Sequence, residues 1–270
     1  MMYKMYVRPH LEYGDIIYHG QSSELTKNLE QIQYKAGLIV TGCWDKTSRE
    51  KLYKELGWES LENRRAYRRY SLFYKIKTNS APIYLSDHIP PPPPPPRGNT
   101  NRYKNSFFPF CHYGWPNLEE NIRNAISLSD FQKNYLRTIR PSAKGICPPV
   151  DSFGLKRLTQ LRVEHSDLRS HRFNKNFNCT SPTCRCGMEE ETNEHYFLRC
   201  PSFQNQRTHL LSSLSDIIQN NISVLPDSHL CDLILYGSNV YNEITNTLII
   251  KTAIRYIIST KRFKVFEAFQ

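Results

Sequence analysis

The sequence predicts a mainly α chain: a helical N-terminal region, a stiff break, and a smaller helical module around a Cys/His cluster. Three observations predict it. Apolar residues recur at three- and four-residue spacing in several stretches, the mark of amphipathic helices. Seven consecutive prolines, Pro90–Pro96, interrupt the chain with polyproline II, which packs as neither helix nor sheet. Four of the eight cysteines and one histidine fall between Cys179 and Cys200, at spacings suited to a metal ion. The division expected is 1–89 helical, 90–97 linker, 98–150 connecting segment and 151–270 metal-containing module.

Residues 3–20 read as a short helix and a second short element, broken at Pro9 and Gly14. Residues 22–41 form a longer helix with Ser22 or Ser23 as cap. Leu25, Leu29, Ile32, Ala36 and Ile39 share its expected inward face, Lys27, Gln31 and Lys35 lie opposite, and Gly42 ends it. A short helix over 47–56 stops at Gly57-Trp58. Residues 60–78 are the most basic helix, with Ser60 as cap and Glu62 in the first turn. Arg64, Arg65, Arg68, Arg69, Lys75 and Lys77 alternate there with Tyr67, Tyr70, Phe73 and Tyr74. Cations interleaved with aromatics suit a nucleic-acid backbone. The plainer reading buries Leu61, Tyr70, Phe73 and Ile76 as an apolar face, and the two are compatible.

After the prolines, 97–112 reads as basic and irregular or strand-like, with Arg97, Arg102 and Lys104 as candidate phosphate contacts. Helices are expected over 118–124 and 130–139. A Pro/Gly/Ser-rich loop at 141–152 leads to a helix from 154 to 169 carrying Arg157, Arg162 and Arg169. Further helices are expected over 203–219 and 241–262. In the last, Ile244, Leu248, Ile249, Ala253, Tyr256 and Ile257 have helical period and should pack back on the metal region.

The cluster reads Cys179-x4-Cys184-x-Cys186-x8-His195-x4-Cys200. A closed zinc site takes four such ligands, usually as two pairs. Cys184 with Cys186 and His195 with Cys200 make the favoured set. Cys179 is the substitute, because a single residue between Cys184 and Cys186 is a tight chelate. Gly187 can supply the positive φ of a chain turning around an ion. Arg185, between two ligands, is a further nucleic-acid candidate. The acidic run Glu189–Glu191 is expected to cap a short helix before His195. Disulfides, inert buried thiols and chance clustering are the plainer alternatives. Four strong ligands leave no open position, so the expected Zn²⁺ is structural.

The formal net charge of +11 points to polyanionic partners, either nucleic acid (RNA or DNA) or an anionic membrane surface. No apolar run long enough to span a membrane is present. The opening residues lack a signal-peptide core, which places the chain in cytosol or nucleus rather than outside the cell. No glycine-rich phosphate loop, serine elbow or paired metal-holding aspartates occur, so no catalytic residue is assigned and the chain is not expected to be an enzyme.

Ordered motifs then carry a resemblance. Tyr6-Val-Arg-Pro-His-Leu-Glu-Tyr-Gly14 resembles the segment that follows the reverse transcriptase palm in non-LTR (LINE-type) retrotransposon proteins. Leu29-Glu-Gln-Ile-Gln-Tyr-Lys-Ala36, Gly42, Glu55-Leu-Gly-Trp58, Leu61-Glu62, Arg64-Arg65, Pro82-x-Tyr-Leu85, Phe107-Phe-Pro109 and Trp115-Pro-Asn-Leu118 are similar to that family in the same order. So are Leu168-Arg-Ser-His171, Cys184-Arg-Cys-Gly187, Glu191-Thr192, His195 and Cys200-Pro201. The resemblance implies a thumb/connector region gripping an RNA–DNA duplex, a zinc knuckle that helps bind nucleic acid, and a parent activity of copying RNA into DNA. The palm aspartates and any endonuclease are absent here. The expected function is therefore nucleic-acid binding without catalysis. The rivals are a non-functional mobile-element remnant, a proline-run interaction module, and a subunit serving a separate palm.

Overall fold

The computed structural model describes residues 2–18, 22–87, 101–140, 152–219 and 222–263. The proline run, Arg97, residues 141–151 and the side chain of Arg102 lie outside the described residues. The chain is mainly α, as the periodicity predicts. Among the described residues the extended pairing is one antiparallel bridge, Thr183 with Glu190. No described helix is long and apolar enough to cross a membrane.

Two compact units form. One comprises Met1–Ala36 and Gly57–Pro141, the other Gly37–Leu56 and Ser142–Gln270. Composition alone assigned 37–56 to the first region. Their contacts lie in the second: Glu55 accepts from Arg162 at 2.6 Å, and Thr47 hydrogen-bonds His165.

The first unit is organised by the Leu61–Lys77 helix. Ser60 caps it, its side chain accepting from Asn63 N at 3.1 Å. Leu61, Tyr70, Phe73 and Ile76 are buried, as the apolar-face reading requires. Tyr70, Phe73 and Tyr74 join Cys111, Ile122, Phe131 and Tyr135 in one core. The partners come from helices Phe107–Gly114 and Leu128–Ile139 and the turn Glu120–Arg123. Rings fill most of this core; Trp115 and Phe131 stack at 5.7 Å with planes 4° apart. Helix Phe107–Gly114 replaces the irregular or strand-like segment expected there. Its Pro109 sits in the first turn, where the missing N–H would have had no partner within the helix.

Helix Ser23–Thr41 matches its expected bounds but not its expected face. Leu25, Ile32 and Ile39 are exposed, whereas Glu30, Gln33, Tyr34 and Leu38 are buried. The reason is polar. Glu30 accepts from Leu61 N at 3.0 Å. Gln33 accepts from the Tyr3 hydroxyl at 2.8 Å and donates to Glu59 O at 2.9 Å. A buried backbone donor or acceptor left unpaired costs about 1–3 kcal/mol, so these hydrogen bonds outweigh an aliphatic stripe.

The second unit packs Ser152–Arg162, Gln204–Ile218, Asp227–Tyr236 and Glu243–Ser259 around an aliphatic core. The expected 154–169 helix stops at Arg162 because Glu164 takes a left-handed φ of 54°, and a second helix starts at Arg169. Asp227–Tyr236 was not anticipated. In the last helix Ile249, Ala253, Tyr256 and Ile257 are buried, while Ile244 and Leu248 face out. Tyr256 donates to Tyr196 O at 2.6 Å, and the Tyr196 hydroxyl meets Thr260 Oγ1 at 2.7 Å. Those two bonds anchor the residue next to His195 against this helix, as the sequence predicts.

Candidate metal centre

Two local structures bring the four ligands together. The first is a tight hairpin closed by the Thr183–Glu190 bridge. Cys184 N donates to Glu189 O at 2.8 Å and Gly187 N to Cys184 O at 2.9 Å. Gly187 has φ +79°, the left-handed value expected of it, so Cys184 and Cys186 both point inward from one turn. The second is the turn His195–Arg199, which is π rather than α. An α turn stacks residues three or four apart. His195 and Cys200 are five apart, and the wider turn, with Cys200 N donating to His195 O at 2.7 Å, aligns them.

The ligand atoms of Cys184, Cys186, His195 and Cys200 all lie within 4.8 Å of one another. Cys184 Sγ and Cys200 Sγ are 3.8 Å apart, and Cys186 Sγ is 3.3 Å from His195 Nε2. This cluster could hold a metal ion. Cys179 is not part of it: its thiol donates to Ser181 O at 3.1 Å. Cys184, His195 and Cys200 are buried. Burial pushes the Cys184 thiol up to about 12, so a thiolate there needs a bound cation to stabilise it.

Surrounding residues fix the ligands. Glu189 Oε1 lies 2.8 Å from His195 Nδ1, which leaves Nε2 directed at the thiols. Arg199 ties Glu189, Glu194 and Asp227 together at 3.2, 3.2 and 2.7 Å. Arg207 donates to Cys200 O at 2.8 Å. The acidic run does not cap the His195 turn as expected. Thr192 Oγ1 does, accepting from His195 N at 3.2 Å. Glu191 is instead buried, accepting from Arg169 N at 2.8 Å and from Arg262 at 2.6 and 2.7 Å. Glu189 could have been suspected as an acid in hairpin register with Cys184. Nothing local signals Arg262, 71 positions from its partner Glu191.

No family model, curated protein or solved structure matches the chain.

The expected basic face of the Leu61–Lys77 helix is largely turned inward. Arg69 is fully buried, donates to Asn105 O at 3.0 Å and lies 4.5 Å over the Phe110 ring. Arg65 is buried as well. Arg64 clamps buried Glu12 and reaches Glu59 at 3.4 Å; Arg68 reaches Glu12 at 2.6 Å and Asp15 at 3.2 Å. Glu12 and Asp15 are themselves buried, and buried carboxylates demand nearby cations. Arg65 and Arg69 are buried and Arg64 is largely so, which corrects their assignment to an outward phosphate face; Arg68, paired on one side, keeps 34% of its side chain exposed. Lys77 stays exposed, 4.9 Å over the Trp115 ring, and Lys75 and Lys104 are half-exposed. Arg185 is exposed at the hairpin tip.

Proposed function

We propose that this chain is a zinc-stabilised, non-catalytic nucleic-acid-binding segment of the kind that follows the palm in non-LTR retrotransposon reverse transcriptases. One observation carries the reading: three thiols and one imidazole converge within 4.8 Å, with Glu189 on the far nitrogen of the imidazole. Thiolate-rich tetrads favour Zn²⁺ over harder divalent ions. Four ligands close the shell, which makes the ion structural. The charge of +11 and the ordered motifs support an RNA or DNA partner. Lys77 and Arg185, which are exposed, and Lys75 and Lys104, which are half-exposed, are the candidate contacts to a phosphate backbone.

The test is metal analysis of the purified full chain together with fluorescence anisotropy on labelled RNA, DNA and hybrid duplex across a salt series. One zinc per chain, lost in Cys200→Ser, and a steep fall of affinity with salt are expected. Absence of stoichiometric metal removes the zinc assignment. Absence of binding to all three probes removes the nucleic-acid assignment.

A further inference from the structure

Behind the hairpin lies a polar cleft of about 160 Å³, lined by Arg169, Arg172, Arg185 and Arg262 with Asn178 and Thr180. A water occupies roughly 30 Å³ of liquid, so the cleft has room for a few waters or one phosphate-sized group. Its charges are unequal in what they already hold. Arg262 is matched by Glu191, and Asp167, which also lines the cleft, is matched by Arg157 at 3.0 Å. Among the described residues no carboxylate pairs with Arg169, Arg172 or Arg185. Arg169 Nε donates to Ser181 O at 3.2 Å. Arg172 Nε is buried and has no hydrogen-bond partner among the described residues. A buried guanidinium donor without an acceptor is costly, and three unmatched guanidinium groups around one small cavity repel one another.

A tetrahedral oxyanion offsets the repulsion between these groups. It offers acceptors in several directions, matches guanidinium forks, and takes further hydrogen bonds from a hydroxyl and an amide. We infer that this cleft seats a phosphate group of a bound nucleic-acid strand, with Arg169, Arg172 and Arg185 as its cationic ligands. The inference rests on the nucleic-acid reading above and adds to it a specific seat. It also ties that seat to the metal centre, because Arg185 stands between two ligands and its position is set by the hairpin they close.

The experiment compares the full chain with Arg172→Gln and Arg185→Gln, using anisotropy on labelled RNA and DNA strands over a salt series. Thermal melting with and without inorganic phosphate, and zinc content, are measured in parallel. Each variant should bind at least about tenfold more weakly, with the salt slope reduced by about one and zinc content unchanged. Arg185 is exposed, so its variant reports even if Arg172→Gln folds poorly. Wild-type binding with unchanged affinity and slope in Arg185→Gln overturns the cleft and leaves the broader reading intact. No strand binding, with phosphate stabilising wild type but not the variants, keeps the cleft for a free anion and removes the broader reading. No response to strand or phosphate overturns both.

Discussion

If the Cys/His cluster holds the proposed Zn²⁺, Glu189→Ala should weaken its affinity while sparing the fold. Glu189 meets His195 Nδ1 at 2.8 Å. Loss of such an outer hydrogen bond to a metal-ligating histidine costs roughly 10–100-fold in affinity. Two features place this case at the low end. Glu189 is 38% exposed, so water can replace part of the lost acceptor, and its second oxygen is shared with Arg199 at 3.2 Å. The expected loss is thus about tenfold, or ~1.4 kcal/mol. Competition against a chromogenic chelator at neutral pH measures it directly. Glu189→Gln keeps an acceptor oxygen and should recover part of the loss. Glu190→Ala removes an exposed neighbouring charge and should leave affinity unchanged. Equal binding by Glu189→Ala and wild type would refute the orienting role. An equal loss in Glu190→Ala would show that general negative charge, not the hydrogen bond, is responsible.

Three further outcomes follow from the packing. Glu12→Ala removes the carboxylate that Arg64 and Arg68 share, but Glu59 and Asp15 stay within reach of them, so the first unit should lose about 1–3 kcal/mol in chemical denaturation. Gly114→Ala would put a methyl 1.8 Å from the Tyr70 hydroxyl in a core of rings, and a loss of about 1–3 kcal/mol is expected, recovered in part by Tyr70→Phe. Burial holds His171 at about 4, below its ordinary 6.5, so the folded state favours the neutral ring. Its contribution is complete above pH 6.5 and is lost as pH falls through 4, by about 3 kcal/mol. The difference between wild-type and His171→Asn stability should shrink across that window.

Much of this was legible from local patterns. Ser60, the apolar face of 61–77, Gly42, Gly57 and Gly187 act through nearest-neighbour geometry, and all take the expected roles or positive φ values. The convergence of Cys184, Cys186, His195 and Cys200 was legible because their short spacings are those that chelation of one ion requires. What failed depends on distant partners. The arginines of 61–77 look like an outward basic stripe until Glu12 and Asp15 are known to lie beneath Arg64 and Arg68. The face of 23–41 was misread because aliphatic spacing says nothing of a glutamate that caps another helix 31 positions away. The stop at Arg162 was hidden because Glu164, not a glycine, takes the left-handed turn.

The π turn at His195 sets a length rule for the centre. Inserting one residue between His195 and Cys200 would place them six apart, a spacing that neither an α nor a π turn stacks, and would turn the second thiol away from the other three ligands. Substitutions in that stretch can be absorbed by repacking; an added peptide unit cannot. The tetrad therefore tolerates a changed side chain at Leu198 far better than a longer turn.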